Sequence, residues 1–290
     1  EILRCLVGSE MCIRDSPHTT FDNLPEVCDI KLDEHQYKII KQMVKERRNF
    51  WLEFDIRNHF KLGPVKYHNV VASIKGTKYP DEYVIISGHL DSYDVATGGI
   101  DCGTGIGPMM EAARMIALSG AKPKRTILFV AFAGEEFGLL GAKAYVKTHA
   151  KELGKIANLF NRDGGPTPPV GISVPQAMYD DFVEVCKPVK EIRADYPFEV
   201  KEAKPFKRPT QSGGTDASVF AVEGVPTFGF NTQDIKGYNF SYGEIWHTER
   251  DLYTKNIPEY QEHAATVTAV VALGIANLSK QLSREGMHKK

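Results

Sequence analysis

Hydrophobic and polar positions along the chain alternate between a helical period and a strand period. Tyr37, Ile40, Met43 and Val44 recur at helical spacing within 33–48, with Asp33 placed to cap the first turn. The segment 50–60 reads as extended. Past Gly63-Pro64 the pattern settles into strands alternating with helices. Strands are predicted over 69–74 and 83–87 and a helix over 103–118. The most apolar run, 126–133, suits a strand buried at the centre of a sheet. A helix over 139–149, a strand over 155–161 and a helix over 176–186 follow. Four prolines between 187 and 209 predict irregular structure around at most one strand. Then come a short helix at 216–221, a strand at 227–230, a loop over 231–250 and a long helix from Pro258, with proline tolerated in its first turn. This alternation predicts an α/β fold, a three-layer α/β/α sandwich around a mostly parallel mixed sheet. No internal repeat or low-complexity segment interrupts it.

Composition changes this picture little. The 290 residues are 42% hydrophobic and 25% charged, as in an ordinary globular chain. A formal charge of −1 and a pI near 6.8 give no electrostatic attraction to nucleic acid or to an anionic membrane. No apolar run reaches the roughly 20 residues of a membrane helix. The nearest, 264–278, is interrupted by Thr266, Thr268 and Gly274 and reads as a core helix. Residues 1–16 lack the layout of a signal peptide, and Gly8-Ser-Glu-Met-Cys-Ile-Arg-Asp-Ser16 resembles a translated adapter sequence. We expect a non-native, dispensable tail there, with the natural chain starting near Pro17 as part of a longer protein. Five scattered Cys form neither a disulfide framework nor a zinc knuckle.

The chemistry is carried by residues placed where strands run out into loops. His89 ends one strand, Asp101 lies in a Gly-rich loop before a helix, and Glu135-Glu136 follow the most apolar strand. Asp163 ends the next strand, and His247 sits in the loop before the last helix. Each has a bland alternative: a surface His, a turn Asp, or a Glu pair complementing a helix dipole. In an open α/β sheet, however, chemistry gathers outside the carboxyl ends of the strands. Two His and three carboxylates converging there can hold two divalent ions about 3.5–4 Å apart, which clamp and activate one water. Asp91, two residues past His89 on an extended chain, shares its side and is expected to orient the imidazole through its carboxylate.

His-x-Asp, Asp, Glu-Glu, Asp and His, in this order and spacing, resemble the di-zinc exopeptidase family of bacterial leucyl aminopeptidases and glutamate carboxypeptidases. Ser87-Gly-His-Leu-Asp-Ser-Tyr-Asp-Val, Pro123-Lys-Arg-Thr-Ile and Gly213-Gly-Thr-Asp are most similar to its glutamate-carboxypeptidase branch, and the likeness covers 69–282. It implies two Zn2+, one held by His89 and Asp163, the other by Glu136 and His247, with Asp101 bridging them. Glu135 would be the general base and Asp91 the partner of His89. It also implies a catalytic domain over 63–290, preceded at 17–62 by the remnant of a protease-associated domain and linker. A short peptide substrate and a secreted or periplasmic location follow, and a homodimer is admitted. Cys102 departs from the pattern, standing where many relatives carry a second Asp. So does Thr215-Asp216-Ala217, which lacks the His that aminopeptidase members place after this Asp. The 84-residue span from Asp163 to His247 is too short for the lid domain of related amidohydrolases. An aminopeptidase of the same family is one alternative. A glutaminyl cyclase using one zinc and a non-catalytic binding module are the others; neither needs the full ligand set.

Overall fold

The computed structural model describes residues 6–8, 30–32, 34–53, 55, 63–93 and 96–289. Near the N-terminus β1 (Leu6–Gly8) pairs in parallel with β2 (Ile30–Leu32), and α1 (Glu34–Lys45) follows. Backbone pairing thus ties part of the 1–16 segment to later chain, where no structural tie was expected. The expected cap, Asp33, and most of the 50–60 segment lie outside the described residues.

Then come β3 (Val70–Ile74), β4 (Tyr79–His89), α2 (Gly103–Leu118), β5 (Arg125–Phe132), α3 (Leu140–Thr148) and β6 (Ile156–Asn161). The four strands form one sheet in the order β3-β5-β4-β6. β4, β5 and β6 are parallel and β3 is antiparallel to β5. Register places His89 opposite Phe132 and Ser87 opposite Asn161. The carboxyl ends of the three parallel strands therefore open onto one edge, where the candidate ligands stand.

The central strands are apolar on both faces because helices cover both. Val84 and Ile86 of β4, with Ile127 and Phe129 of β5, enter a core shared with three helices: α2, α4 (Gln176–Ile192) and α6 (Pro258–Ala276). Their alternates Ile85, Val130 and Phe132 enter a second core with α3 and α5 (Asp216–Val222). Each fully buried aliphatic side chain contributes about 1.5–3 kcal/mol. Mean apolar character is high all round α6, and eleven of its residues are buried. The segment read as a core helix is one. Among the described residues no helix is long and apolar enough to cross a membrane.

Beyond β6 the sequence expectation needs revision. A strand not foreseen, β7 (Pro169–Pro175), pairs with β8 (Glu199–Ala203) in parallel and with β10 (Phe230–Thr232) antiparallel. The 187–209 region is more ordered than its prolines suggested. α4 runs through Pro188 to Ile192 because the stripe Met178, Phe182, Val185, Cys186 and Val189 stays buried across it. That packing offsets the single helical hydrogen bond a proline removes. β8 follows, then β9 (Phe206–Lys207), paired with the C-terminal β11 (Met287–Lys289). The strand expected at 227–230 begins only at Phe230. Before it the chain runs along β6, with Leu159 N–H donating to Pro226 O at 2.9 Å and the Asn158 amide bonded to both main-chain groups of Phe228 at 3.3 Å. This segment joins the two sheets.

Candidate active site

Parallel register brings three of the ligand-bearing loops together before any side chain is considered. His89 is the last residue of β4, Glu135 and Glu136 lie three and four residues past β5, and Asp163 two past β6. Asp101 reaches the same edge from the loop that starts α2. That loop is shaped by glycine: Gly98 adopts φ +64°, and a Cβ there would stand 2.8 Å from Ser92 Cβ. Gly103 N–H closes onto Gly98 O at 2.9 Å. The Thr104 hydroxyl lies 2.8 Å from both Ile100 O and Gly164 O, fixing the Asp101 loop to the Asp163 loop.

His89 Nε2 stands 2.9 Å from Asp101 Oδ1 and 3.5 Å from Asp163 Oδ1. On the other flank His247 Nε2 is 3.0 Å from Glu136 Oε2 and 4.0 Å from Asp101 Oδ2. Asp101 thus lies between two His–carboxylate sets, one oxygen toward each. Its Oδ2 also accepts a hydrogen bond from Tyr242 Oη at 2.9 Å. The structure brings together all five residues singled out as ligands, in the pairings His89 with Asp163 and Glu136 with His247.

Asp91 acts differently from expectation. The group behind His89 is the Asp91 main-chain carbonyl, 2.9 Å from Nδ1, while its carboxylate is 4.0 Å away. Its oxygens instead accept the N–H groups of Glu135 and Glu136, each at 3.1 Å. The strand ends at His89 and the chain bends at Leu90, so the alternation assumed for His-x-Asp no longer holds. A carbonyl can accept the Nδ1 proton and orient the ring as a carboxylate would, leaving Nε2 directed at Asp101 and Asp163.

Sequence reasoning overlooked the part played by Asp251. This carboxylate, 1% exposed, accepts Ile100 N–H at 2.6 Å and Asp101 N–H at 3.1 Å, bracing the loop of Asp101. Its only signal was its place four residues after His247. Tyr242 reaches the carboxylate of Asp101 itself. Arg208 is engaged away from this cluster: its Nε donates to Val222 O at 2.6 Å, at the end of α5 remote from Asp216. Lys207 lies in β9, beside β11.

The electrostatics of this cluster call for cations. Burial raises Glu135 to about 9, helped by the charges of Asp163, Asp216 and Glu136. Burial also raises Glu136 and Asp163, and Asp216 to about 7. For Asp101, burial pushes upward but the hydrogen bonds from His89 and Tyr242 prevail and hold it low. Glu136 Oε1 and both oxygens of Asp216 are buried without a hydrogen-bond partner. Acceptors so outnumber donors that uncompensated burial would be costly. The donor set, imidazole and carboxylate, suits zinc. Cys102 is buried beside it, its Sγ donating to Arg162 O at 3.0 Å and lying within reach of His89 and Asp163.

The model of Peptidase family M28 matches residues 69–271, which contain every residue of this cluster. The chain belongs to peptidase family M28. The zinc-exopeptidase resemblance and the α/β fold are both borne out. Carboxypeptidase Q of Rattus norvegicus is 32% identical over 231 residues, covering 78% of this M28 chain and 46% of the relative. A solved M28 peptidase precursor from Shewanella amazonensis SB2B superposes with a TM-score of 0.70 at 28% identity, over 90% of this chain and 56% of that one. A zinc aminopeptidase from Bacillus subtilis shares the fold, at TM-score 0.55 and 21% identity, over 76% of this chain and 53% of its own. The chain spans about half the length of the curated relatives it matches.

Proposed function

We propose that this M28 chain carries the catalytic centre of a two-zinc exopeptidase acting on short peptides. The observation that supports this most is Asp101, whose two oxygens face two separate His–carboxylate sets, at 2.9 Å on one side and 4.0 Å on the other. His89, Asp163 and Asp101 would hold one ion, and Glu136, His247 and Asp101 the second. Zinc bound there would supply Lewis-acid chemistry, activating a water and polarising a carbonyl. Glu135, adjacent to Glu136 and, among the described residues, without a hydrogen-bonded His, would be the group that accepts the proton of the attacking water and returns it to the leaving amine. Asp91 keeps the two Glu apart in role by fixing both their main-chain N–H groups. Trp246, Tyr242 and Phe240 line the approach, Tyr242 and Phe240 lying against the position a Gly165 Cβ would occupy.

Substrate choice follows the carboxypeptidase Q likeness, and free dipeptides are expected to be cleaved faster than aminoacyl anilides. With Arg208 tied to Val222, the donor for a substrate carboxylate is sought on the open Gly213–Gly214 turn. Gly213 N–H already serves Ser218 Oγ at 2.8 Å, so Gly214 is the candidate. A secreted or periplasmic location, the expectation from the resemblance, suits the solved relative's name as a precursor. The test is zinc content together with a substrate panel. Two equivalents per chain, and hydrolysis abolished by chelation, are expected. A single equivalent with full hydrolytic activity would overturn the two-zinc reading, a single equivalent without hydrolysis would point to the one-zinc cyclase alternative, and anilides favoured tenfold or more would make the enzyme an aminopeptidase.

A further inference from the structure

The two candidate His ligands are held in different ways. His89 has the usual arrangement for a metal-bound imidazole, with its second nitrogen bonded to a carbonyl at 2.9 Å. Among the described residues no hydrogen bond reaches Nδ1 of His247. Its backbone sits at φ +58°, in the left-handed region that a non-glycine residue occupies only when its surroundings hold it there. What surrounds the ring is aromatic. Tyr93 stacks on it with centroids 4.2 Å apart and planes 5° from parallel. Trp246 lies 4.1 Å away at 31°. Two flat rings cannot both stand so close to one imidazole on the same side without overlapping each other, so they occupy opposite faces.

Resting on the two-zinc reading above, we propose that Tyr93 and Trp246 are positioning residues that clamp His247 between them and so set the affinity of the ion it shares with Glu136. The clamp is built from two separate segments. Tyr93 leaves the end of β4, and Trp246 closes the turn begun at Tyr242, with its N–H on Tyr242 O at 2.9 Å. Rotation of the imidazole about its Cβ–Cγ bond would drive its edge into one ring or the other. Only in-plane positions remain, and these keep Nε2 aimed at Glu136 Oε2, 3.0 Å away. In this way stacking does what a hydrogen bond does for His89. The contact shown between Tyr93 and His247 is ring on ring.

Zinc binding by the full chain tests this through competition with a chromophoric chelator, with circular dichroism and melting in saturating zinc to check folding. Wild type is expected to hold two equivalents. Tyr93→Phe should match it, because the face is kept. Tyr93→Leu and Trp246→Leu should keep the first ion and bind the second at least about tenfold more weakly, the usual loss when a ligand's support is removed. In a His247→Ala background, Tyr93→Leu should leave the remaining ion's affinity unchanged, which a general structural defect would not do. Wild-type affinity for both ions in the two Leu variants would overturn the clamp. So would Tyr93→Phe behaving like Tyr93→Leu, or equal loss of both ions. Uptake of one equivalent by the unsubstituted chain overturns the two-zinc reading and the clamp with it, and is told apart because it precedes any substitution.

Discussion

Glu135 and Glu136 are neighbours in sequence with different surroundings, and amide substitution separates them. Glu136 faces His247 through Oε2 and keeps a buried, unpartnered Oε1, the environment of a ligand. Glu135 has no imidazole partner and is raised to about 9, the environment of a proton carrier. Glu135→Gln is expected to retain both zinc ions and the fold while activity falls by at least about 10²–10⁴-fold. Glu136→Gln should lose one ion. Zinc content and kcat/KM measured on both variants decide it, and equal behaviour would contradict the division. A second residue-scale prediction lies away from the site. His263 is fully buried, its Nε2–H donating to Pro169 O at 2.9 Å, with Nδ1 unpartnered. Burial lowers its pKa to about 4. Between about 4 and the ordinary 6.5 the unfolded chain binds the proton that the folded chain refuses, so stability rises with pH across that window and is lost on acidification. His263→Gln should flatten this part of the stability–pH profile.

Among the elements, the loops that carry the candidate ligands are braced by two carboxylates used alike. Asp91 takes the N–H groups of Glu135 and Glu136, and Asp251 those of Ile100 and Asp101. Hydrogen bonds to a buried charge contribute about 1.5–3 kcal/mol each. Asp251→Ala is therefore expected to lower the melting temperature by several degrees and to weaken both ions, since it releases the shared ligand. Loss of only one ion would contradict this. Gly99→Ala should act through the same contact, because a Cβ there would lie 2.2 Å from the Leu252 carbonyl carbon, against backbone that cannot move aside. Such bracing explains what the sequence did and did not disclose. Strand ends were legible because apolar periodicity marks β4, β5 and β6, and with them came His89, Asp101, Glu136, Asp163 and His247 as one group. Asp251 and Tyr93 were not, because an Asp four residues past a His, or a Tyr after a strand, has no periodic signature. Asp91 was expected to hold His89 through its carboxylate; that carboxylate stands 4.0 Å from Nδ1 and accepts the Glu135 and Glu136 N–H groups instead, because the strand ends and the chain bends at Leu90. β7 and the extension of α4 were missed for a simpler reason: prolines at 169, 175 and 188 outweighed, in a local reading, the burial that tertiary packing supplies.

Taken as one molecule, the chain gathers Asp101, Glu135, Glu136 and Asp163 at the carboxyl edge of its parallel strands, and this links metal, proton and stability. Without cations Glu135 is raised to about 9 and Asp216 to about 7 from ordinary values of 4.5 and 3.8. Between each ordinary value and its raised value the folded chain binds more protons than the unfolded one. These groups therefore favour the metal-free fold at low pH, and the benefit is lost as pH rises through the raised values. Zinc bound as proposed would act in the opposite sense, replacing those protons, because metal ligands bind in their deprotonated form. The increase in melting temperature on adding zinc should therefore grow as pH rises through about 7 to about 9, the raised values of Asp216 and Glu135. In magnitude, ligand at 1,000 times its Kd stabilises by about 4 kcal/mol. Zinc uptake at neutral pH should also release protons, measurable by calorimetry in buffers of different ionisation enthalpy, and Glu135→Gln should release fewer. A zinc-induced shift that shrinks as pH rises, or uptake without proton release, would mean that the acids of this edge are already ionised in the metal-free fold, and that burial does not hold their protons in place.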